Sequence, residues 1–274
     1  MKRPRPQTGP ALKHSLGQNF ILDPALQREL AALTGLTKDD EVLEIGAGSG
    51  MLTQALAEQA GHVTAVEVDR EMIPYLKAAV LHFDNVTVLQ ADILRMDWEA
   101  FAQEHGAFHI AANLPYHVTT ALLTRLVDLD LPILSMHLML QKESAEKLCA
   151  GTGQPGYGPL TIELGWRYEP EIRKYLPREV FTPPPRVDSA FISMTRRDKP
   201  PAAVRDERRL FEVIRAGFAL RRKTLLNNLM NRYQIPREQA ATLLNAAGIP
   251  ENARAEQVDI AHFAALADAF PANY

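Results

Sequence analysis

Four consecutive residues, Asn113-Leu114-Pro115-Tyr116, carry the most specific chemistry in the chain. The side-chain carbonyl of Asn113 and the backbone carbonyl of Leu114 are acceptors suited to the two hydrogens of an aromatic amine. Pro115 stiffens the turn and presents no N–H of its own. Tyr116 offers a flat face on which a base can stack. The exocyclic amine of adenine is a poor nucleophile, because its lone pair is delocalised into the ring. Acceptors that engage its hydrogens help as positive charge develops on nitrogen. No strong base is needed, since the alkylated nitrogen is acidic and water can take its proton afterwards. Such a site works by positioning and charge stabilisation, with the amine in line with a methyl donor at roughly 3–3.5 Å. A paired, stacked base cannot reach that position, so the target is flipped out or already unpaired. The plainer alternative for the tetrapeptide is a packed turn.

A second group of residues suits a methyl donor. Glu44-Ile45-Gly46-Ala47-Gly48-Ser49-Gly50 has its glycines as G-x-G-x-G, and Met51 stands where a dinucleotide fingerprint wants glycine. S-adenosylmethionine carries no phosphate and tolerates a loop not built for one, so Gly46 and Gly48 are candidate cofactor contacts. Glu67 follows at the end of a strand, where a carboxylate can accept from both ribose hydroxyls. Asp92 follows the next strand and can accept from the adenine amine of a nucleoside cofactor. Asp69 reads as a helix cap before Arg70-Glu71-Met72.

These residues need elements that bring them to one edge. Residues 41–46, 62–68, 86–89, 107–112 and 133–140 read as short apolar strands, and residues 51–60, 70–80, 119–129 and 143–150 as helices between them. The alternation predicts an α/β fold, a Rossmann-like parallel sheet with helices on both faces and ligands at the carboxyl ends of the strands. Residues 151–159 read as a loop, 190–194 as a further strand and 196–203 as a charged, proline-containing linker. Helical spacing over 208–220, 223–232, 237–247 and 260–269 predicts a smaller all-helical C-terminal domain. The expected division is 1–22, a basic tail and cofactor-covering motif; 23–198, the catalytic domain; and 199–274, a helical RNA-binding domain.

Composition sets the outer bounds. The chain has 274 residues, 46% of them apolar and 23% charged, as in ordinary globular proteins. No apolar run has the length of a membrane span, no hydrophobic signal core opens the sequence, and the expected location is the cytoplasm. The single cysteine, Cys149, excludes an intrachain disulfide and a multi-cysteine metal site, and no metal is expected. Charge is segregated. Residues 33–112 hold thirteen acidic side chains against four basic, and residues 205–237 hold nine basic against three acidic. The first 22 residues carry four basic and no acidic side chains. Basic regions attract phosphates by counterion release, although a charge run can also be a solvated face.

Together these motifs resemble the KsgA-type ribosomal RNA adenine dimethyltransferases over nearly the full length of the chain. The resemblance rests on Leu16-Gly17-Gln18-Asn19-Phe20, residues 44–50, Glu67, Asp92, Asn113 to Tyr116, Val180-Phe181-Thr182-Pro183-Pro184-Pro185-Arg186-Val187-Asp188-Ser189-Ala190, and Arg221-Arg222-Lys223-Thr224-Leu225. It implies that Asn19, Ile21, Gly46, Glu67, Asp92 and Asn113 contact S-adenosylmethionine. It further implies that Asn113, Leu114 and Tyr116 hold the target adenine and that Phe181 stacks on the opposite face. The implied product is a pair of adjacent N6,N6-dimethyladenosines in the hairpin loop near the 3′ end of small-subunit ribosomal RNA. Partners would be that RNA and the small ribosomal subunit or its precursor, with no membrane and a monomeric enzyme. Arg221, Arg222 and Lys223 are expected to grip RNA backbone, helped by Lys2, Arg3, Arg5 and Lys13; surface salt bridging is the alternative for the first three. Three rival readings remain: a resistance-type methyltransferase acting on large-subunit RNA, a non-catalytic assembly factor, and a dehydrogenase. Met51 and the Asn113 to Tyr116 loop disfavour the last.

Overall fold

The structure, a computed structural model, describes residues 19–113 and 116–271. The expectations placed on Leu114, Pro115 and the basic tail residues Lys2, Arg3, Arg5 and Lys13 lie outside the described residues, as does the side chain of Tyr116. In chain order the first elements are β1 (Phe20–Ile21), α1 (Pro24–Thr34), β2 (Glu41–Ile45), α2 (Met51–Ala57), β3 (His62–Glu67), α3 (Ile73–Ala79), β4 (Val86–Gln90), α4 (Trp98–His105), β5 (Phe108–Asn113), α5 (Tyr116–Leu129) and β6 (Ile133–Gln141). They are followed by α6 (Lys142–Leu148), α7 (Pro159–Arg167), β7 (Tyr168–Leu176), β8 (Phe181–Thr182), β9 (Ser189–Arg196), α8 (Glu207–Gly217), α9 (Leu225–Tyr233), α10 (Arg237–Ala246) and α11 (Ile260–Ala269). No helix among the described residues is long and apolar enough to cross a membrane.

The chain forms two compact units. One takes Met1–Ala145 and Glu171–Thr195, the other Glu146–Pro170 and Arg196–Tyr274. The first unit is built on a seven-stranded sheet in the order β4-β3-β2-β5-β6-β9-β7. β2, β3, β4, β5 and β6 run parallel, and β2 and β3 are buried along almost their whole length. A strand covered on both faces needs an unbroken apolar run, which Val42-Leu43 and Val63 to Val66 supply. Strand order reverses between β2 and β5, so their carboxyl ends diverge and leave a crevice.

The sequence pattern predicts a parallel sheet, and the observed one is mixed. β9 runs antiparallel to β6, from Gln141↔Ser189 to Ser135↔Thr195. An antiparallel neighbour needs no helical crossover, and the segment just ahead of β9, residues 183–188, contains neither helix nor strand. A separate two-stranded sheet pairs Phe20↔Thr182 and Ile21↔Phe181.

α1 shows the local logic of the first unit. Asp23 caps it by accepting from Ala25 N, Pro24 occupies the first turn, and Gly35 closes it in the left-handed region at φ 71°. Its buried side chains include Gln27, Leu30 and Ala31. In the second unit, α8 is capped by Asp206, α9 by Thr224 and α11 by Asp259, and these helices pack together with α7 and α10. Arg215 reaches the buried Glu163 of α7 at 2.6 Å, and Arg167 pairs with Glu207.

Candidate active site

A cavity opens at the carboxyl ends of the parallel strands. It encloses about 1390 Å³ of non-atom space, including its open mouth. Each of the strands β2, β3, β4 and β5 delivers residues to it in turn: Glu44 to Gly48, Val66 to Val68, Ala91 to Leu94, and Ala112-Asn113. β1 and the residue before it add Phe20, Ile21 and Asn19, and β8 adds Phe181. Every candidate cofactor residue read from the sequence therefore lines one space: Asn19, Ile21, Gly46, Gly48, Glu67, Asp92 and Asn113.

The loop after β2 is held by its own hydrogen bonds. Gly46 N and Ala47 N both donate to Val66 O, Gly50 N donates to Ala47 O, and Gly48 N donates to Glu67 Oε2 at 2.8 Å. Gly48 sits at φ +55°, and a Cβ there would lie 2.6 Å from Phe20 Cε1, so any larger residue would displace the Phe20 ring. Four loop amides are thus consumed internally, whereas a pyrophosphate-binding loop turns such amides toward its ligand.

Glu67 is 5% exposed and its two oxygens receive Gly48 N and Asp69 N, each at 2.8 Å. Each carboxylate oxygen retains a lone pair for a hydroxyl donor. Asp69 accepts from Glu71 N at 3.0 Å, so it caps the turn ahead of α3 rather than the helix itself, which begins at Ile73. Asp92 is exposed, accepts from Leu94 N at 3.0 Å and pairs with Arg95 at 3.5 Å. It is both a turn cap and a lining residue.

Asn113 ends β5, and its Nδ2 donates to Asn19 O at 3.0 Å. That bond fixes which way the amide lies. With the amino end spent on a carbonyl, Oδ1 is the end left to accept, and no donor among the described residues engages it. Phe181 is 3% exposed and packs with Ile21, Leu30, Met139, Leu176 and Phe191. The Phe20–Ile21 and Phe181–Thr182 pairing therefore joins a wall for the cofactor residues to a wall carrying a large aromatic ring.

Sequence reasoning passes over Gln27 and gives Glu44, the first residue of the 44–50 motif, no role of its own. Gln27 is buried on α1, and its Nε2 donates to Ile21 O at 2.9 Å, anchoring β1. Glu44 is 2% exposed and its Oε2 has no hydrogen-bond partner. Burial pushes its carboxyl group up to about 8, and the neighbouring Glu67 charge adds to the shift. The Thr53 hydroxyl offsets part of this, although neither Thr53 Oγ1 nor Glu44 Oε2 makes a well-formed hydrogen bond. A carboxyl group inside an otherwise apolar strand is the available signal.

Among the described residues, the cavity is lined by three carboxyl groups, those of Glu44, Glu67 and Asp92, and by no Lys, Arg or His. That balance suits a cation and opposes a polyphosphate. A different polar cluster lies at the amino ends of the strands, where Glu41 Oε1 meets His62 Nδ1 at 2.8 Å and His105 Nδ1 at 3.1 Å. None of those three lines the cavity.

In the second unit, Arg221, Arg222 and Lys223 occupy the turn between α8 and α9, and all three are exposed. Asn228 holds this turn by donating to Gly217 O and accepting from Leu220 N. Some other basic residues of the unit are paired, as Arg209 is with Glu212 and Arg237 with Glu251, whereas Arg232 lies over the Tyr233 ring. The three turn residues have no ion pair among the described residues.

Comparison with known proteins identifies the family and the fold. A family model described as ribosomal RNA adenine dimethylase matches residues 10–271. Ribosomal RNA small subunit methyltransferase A of Geobacillus thermodenitrificans is 42% identical over 268 residues, which is 95% of this chain and 92% of that protein. The protein of the same name from Listeria innocua is 42% identical over 264 residues, 93% of this chain and 90% of its own. Among solved structures, the 23S rRNA methyltransferase ErmE superposes with a TM-score of 0.72 at 25% identity, covering 92% of this chain and 99% of that one. A dimethyladenosine transferase from Plasmodium falciparum shares the fold with a TM-score of 0.75 at 24% identity, covering 89% and 94%.

Proposed function

The chain belongs to the ribosomal RNA adenine dimethylase family, and from that premise we propose that it methylates the N6 amines of two adjacent adenosines in the 3′-terminal hairpin loop of small-subunit ribosomal RNA. The observation that carries this reading is the tethered amide of Asn113, whose Nδ2 is spent on Asn19 O and whose Oδ1 remains to accept.

S-adenosylmethionine fits the cavity and, when bound, supplies a methyl group on a cationic sulfur. The fit rests on three carboxyl groups with no basic counterpart among the described residues, an orphaned buried Glu44 Oε2, and loop amides already consumed. Glu67 holds the ribose hydroxyls with its remaining lone pairs, and Asp92 accepts from the adenine amine. Gly46, Gly48, Asn19 and Ile21 form the walls.

Asn113 Oδ1 and the Leu114 carbonyl accept the hydrogens of the target amine and favour the state in which its nitrogen becomes positive. Tyr116 and Phe181 clamp the base between aromatic faces, and β1 helps exclude water. The released proton goes to solvent, so no residue serves as a strong base. Arg221, Arg222 and Lys223 hold RNA backbone. The 42% identity to small-subunit enzymes, against 25% to ErmE, supports the small subunit as substrate. The same likeness is consistent with a cytoplasmic, monomeric enzyme that meets its RNA in a forming subunit.

Asn113→Ala tests this directly. Losing a preorganised group that stabilises developing charge lowers turnover by about 10²–10³-fold. Methylation should fall by that much while binding to small subunits persists. Methylation within a factor of two of wild type would remove Asn113 from the reaction.

A further inference from the structure

The cluster of Glu41, His62 and His105 lies away from the cavity, at the amino ends of the strands. Glu41 opens β2 and His62 opens β3, and the two are register partners in a parallel pair, so their side chains leave the same face side by side. His105 ends α4, a helix anchored by its buried Trp98 and Phe101. Both rings turn Nδ1 toward one carboxylate oxygen: Glu41 Oε1 lies 2.8 Å from His62 Nδ1 and 3.1 Å from His105 Nδ1. The three ligand atoms all fall within 4.8 Å of one another. Each ring is also held from its other side. His62 Nε2 meets Thr87 Oγ1 of β4 at 2.9 Å, and the His105 ring stacks on Phe101 with centroids 4.1 Å apart. The three side chains are half-buried, at 20–32% exposure, so water and ions can reach them.

Two imidazole nitrogens and a carboxylate oxygen form a donor set for a divalent transition ion, and imidazole favours Zn²⁺ over Mg²⁺ or Ca²⁺. Tetrahedral zinc with bonds of about 2.0–2.2 Å sets its ligand atoms roughly 3.3 Å apart. The observed 2.8 and 3.1 Å need widen only slightly to admit the ion. The single cysteine argues only against thiolate sites, and this set needs no thiolate. We propose that Glu41, His62 and His105 form a structural zinc site, with water as the fourth ligand, that fastens the end of α4 to β2 and β3. A carboxylate only accepts, so in the hydrogen-bonded form each Nδ1 carries a hydrogen. Zinc takes the place of those two hydrogens. Starting from neutral rings, each loses hydrogen from Nδ1 and gains one on Nε2 through water, so no net proton is released. On His62 the new N–H points at Thr87 Oγ1, an outer partner that fixes tautomer and ring together. α4 leads into β5, the strand that ends at Asn113, so the ion steadies that connection from the end opposite the cavity. None of its three ligands lines the cavity, and the ion takes no part in methyl transfer.

Calorimetric titration of Zn²⁺ into the full chain, first freed of metal with a chelator, should show one equivalent bound. That equivalent should weaken at least about a hundredfold in His62→Gln and in His105→Gln, since loss of an outer partner alone costs about 10–100-fold. Thr87→Val, which removes such an outer partner, should weaken it about tenfold. Zn²⁺ should raise the thermal unfolding midpoint of wild type and leave those of the two histidine variants in place, because an ion that binds only the folded chain stabilises it. Mg²⁺ should move none of them. Equal zinc binding and equal midpoint shifts in wild type and both histidine variants would overturn the inference, as would the lack of any zinc binding by wild type. Should the variants fail to fold, anomalous diffraction at the zinc edge from wild-type crystals grown with Zn²⁺ decides. A peak among the three side chains supports the site, and zinc found only elsewhere, or nowhere, contradicts it.

Discussion

At the scale of single residues, the candidate site depends on side chains that do two jobs. Glu67 receives Gly48 N and Asp69 N, so it shapes the loop while keeping lone pairs for a ribose. Replacing it with alanine removes charge-assisted hydrogen bonds worth about 1.5–3 kcal/mol each, so cofactor affinity should drop at least tenfold. Equilibrium binding of S-adenosylmethionine checks this, and an unchanged affinity would place the ribose elsewhere. Glu67, Asp92 and Asn113 are legible in the sequence because each ends or closely follows a strand, and β4, β3 and β5 lie within four consecutive positions of the sheet. Glu44 is not, because its significance lies in what surrounds it. A carboxyl group in EVLEI reads as an ordinary strand residue until three-dimensional packing shows that nothing answers it. The orientation of the Asn113 amide is equally invisible, since its tether, Asn19, lies 94 positions earlier.

At the scale of elements, the parallel core follows from sequence because β2 and β3 are buried on both faces and show it as apolar runs. α1 has clear end signals in Asp23-Pro24 and Gly35, yet it falls between the chemical motifs, and a reading that starts from those motifs misses it. β7 is harder. It alternates buried and exposed positions but contains Pro170 and several charges, and its place in the sheet depends on β9, which comes later in the chain. Across β5, β6 and β9 runs a line of polar side chains that no local pattern announces: Asp40, His109, Ser135, His137 and Ser193, linked at 3.2, 2.7, 2.6 and 3.0 Å. It forms because His109↔Ser135 and His137↔Ser193 are register partners and Ser135 and His137 share a face. Burial, aided by the charges of His109 and Arg173, pulls His137 down to about 3 from an ordinary 6.5. An unfolded histidine takes a proton below 6.5, whereas the folded one stays neutral until about 3. Stability therefore falls as pH drops through that window, by up to about 1.4 kcal/mol per pH unit. Urea midpoints near pH 7 and pH 5 should show a smaller loss in His137→Gln than in wild type, and identical losses would exclude His137 as the titrating group.

At the scale of the whole molecule, charge divides the labour. The acidic stretch 33–112 supplies the carboxyl groups of the cavity, and the basic stretch 205–237 supplies exposed cations. Sequence does not distinguish a phosphate-gripping turn from a salt-bridged surface at Arg221, Arg222 and Lys223. In the structure Arg209, Arg215 and Arg237 have carboxylate partners, and these three, which follow one another in a single exposed turn, have none among the described residues. Neutralising all three should weaken binding to small subunits and flatten its salt dependence, lowering the log–log slope by about 0.7–0.9 for each phosphate no longer neutralised. Binding measured at several salt concentrations checks this, and an unaltered slope would assign them another role. The division of the chain also exceeds what composition can tell. The segment Glu146–Pro170 folds with Arg196–Tyr274, because α7 packs on α8 through the Glu163–Arg215 and Arg167–Glu207 pairs.

The most direct measurement supplies S-adenosylmethionine with a labelled methyl group to unmethylated small ribosomal subunits and, separately, to large-subunit RNA, and analyses the nucleosides after digestion. The account predicts labelled N6,N6-dimethyladenosine from two adjacent positions of the small-subunit RNA and none from the large. Label confined to large-subunit RNA, or absent from both while the folded protein binds cofactor, would contradict it.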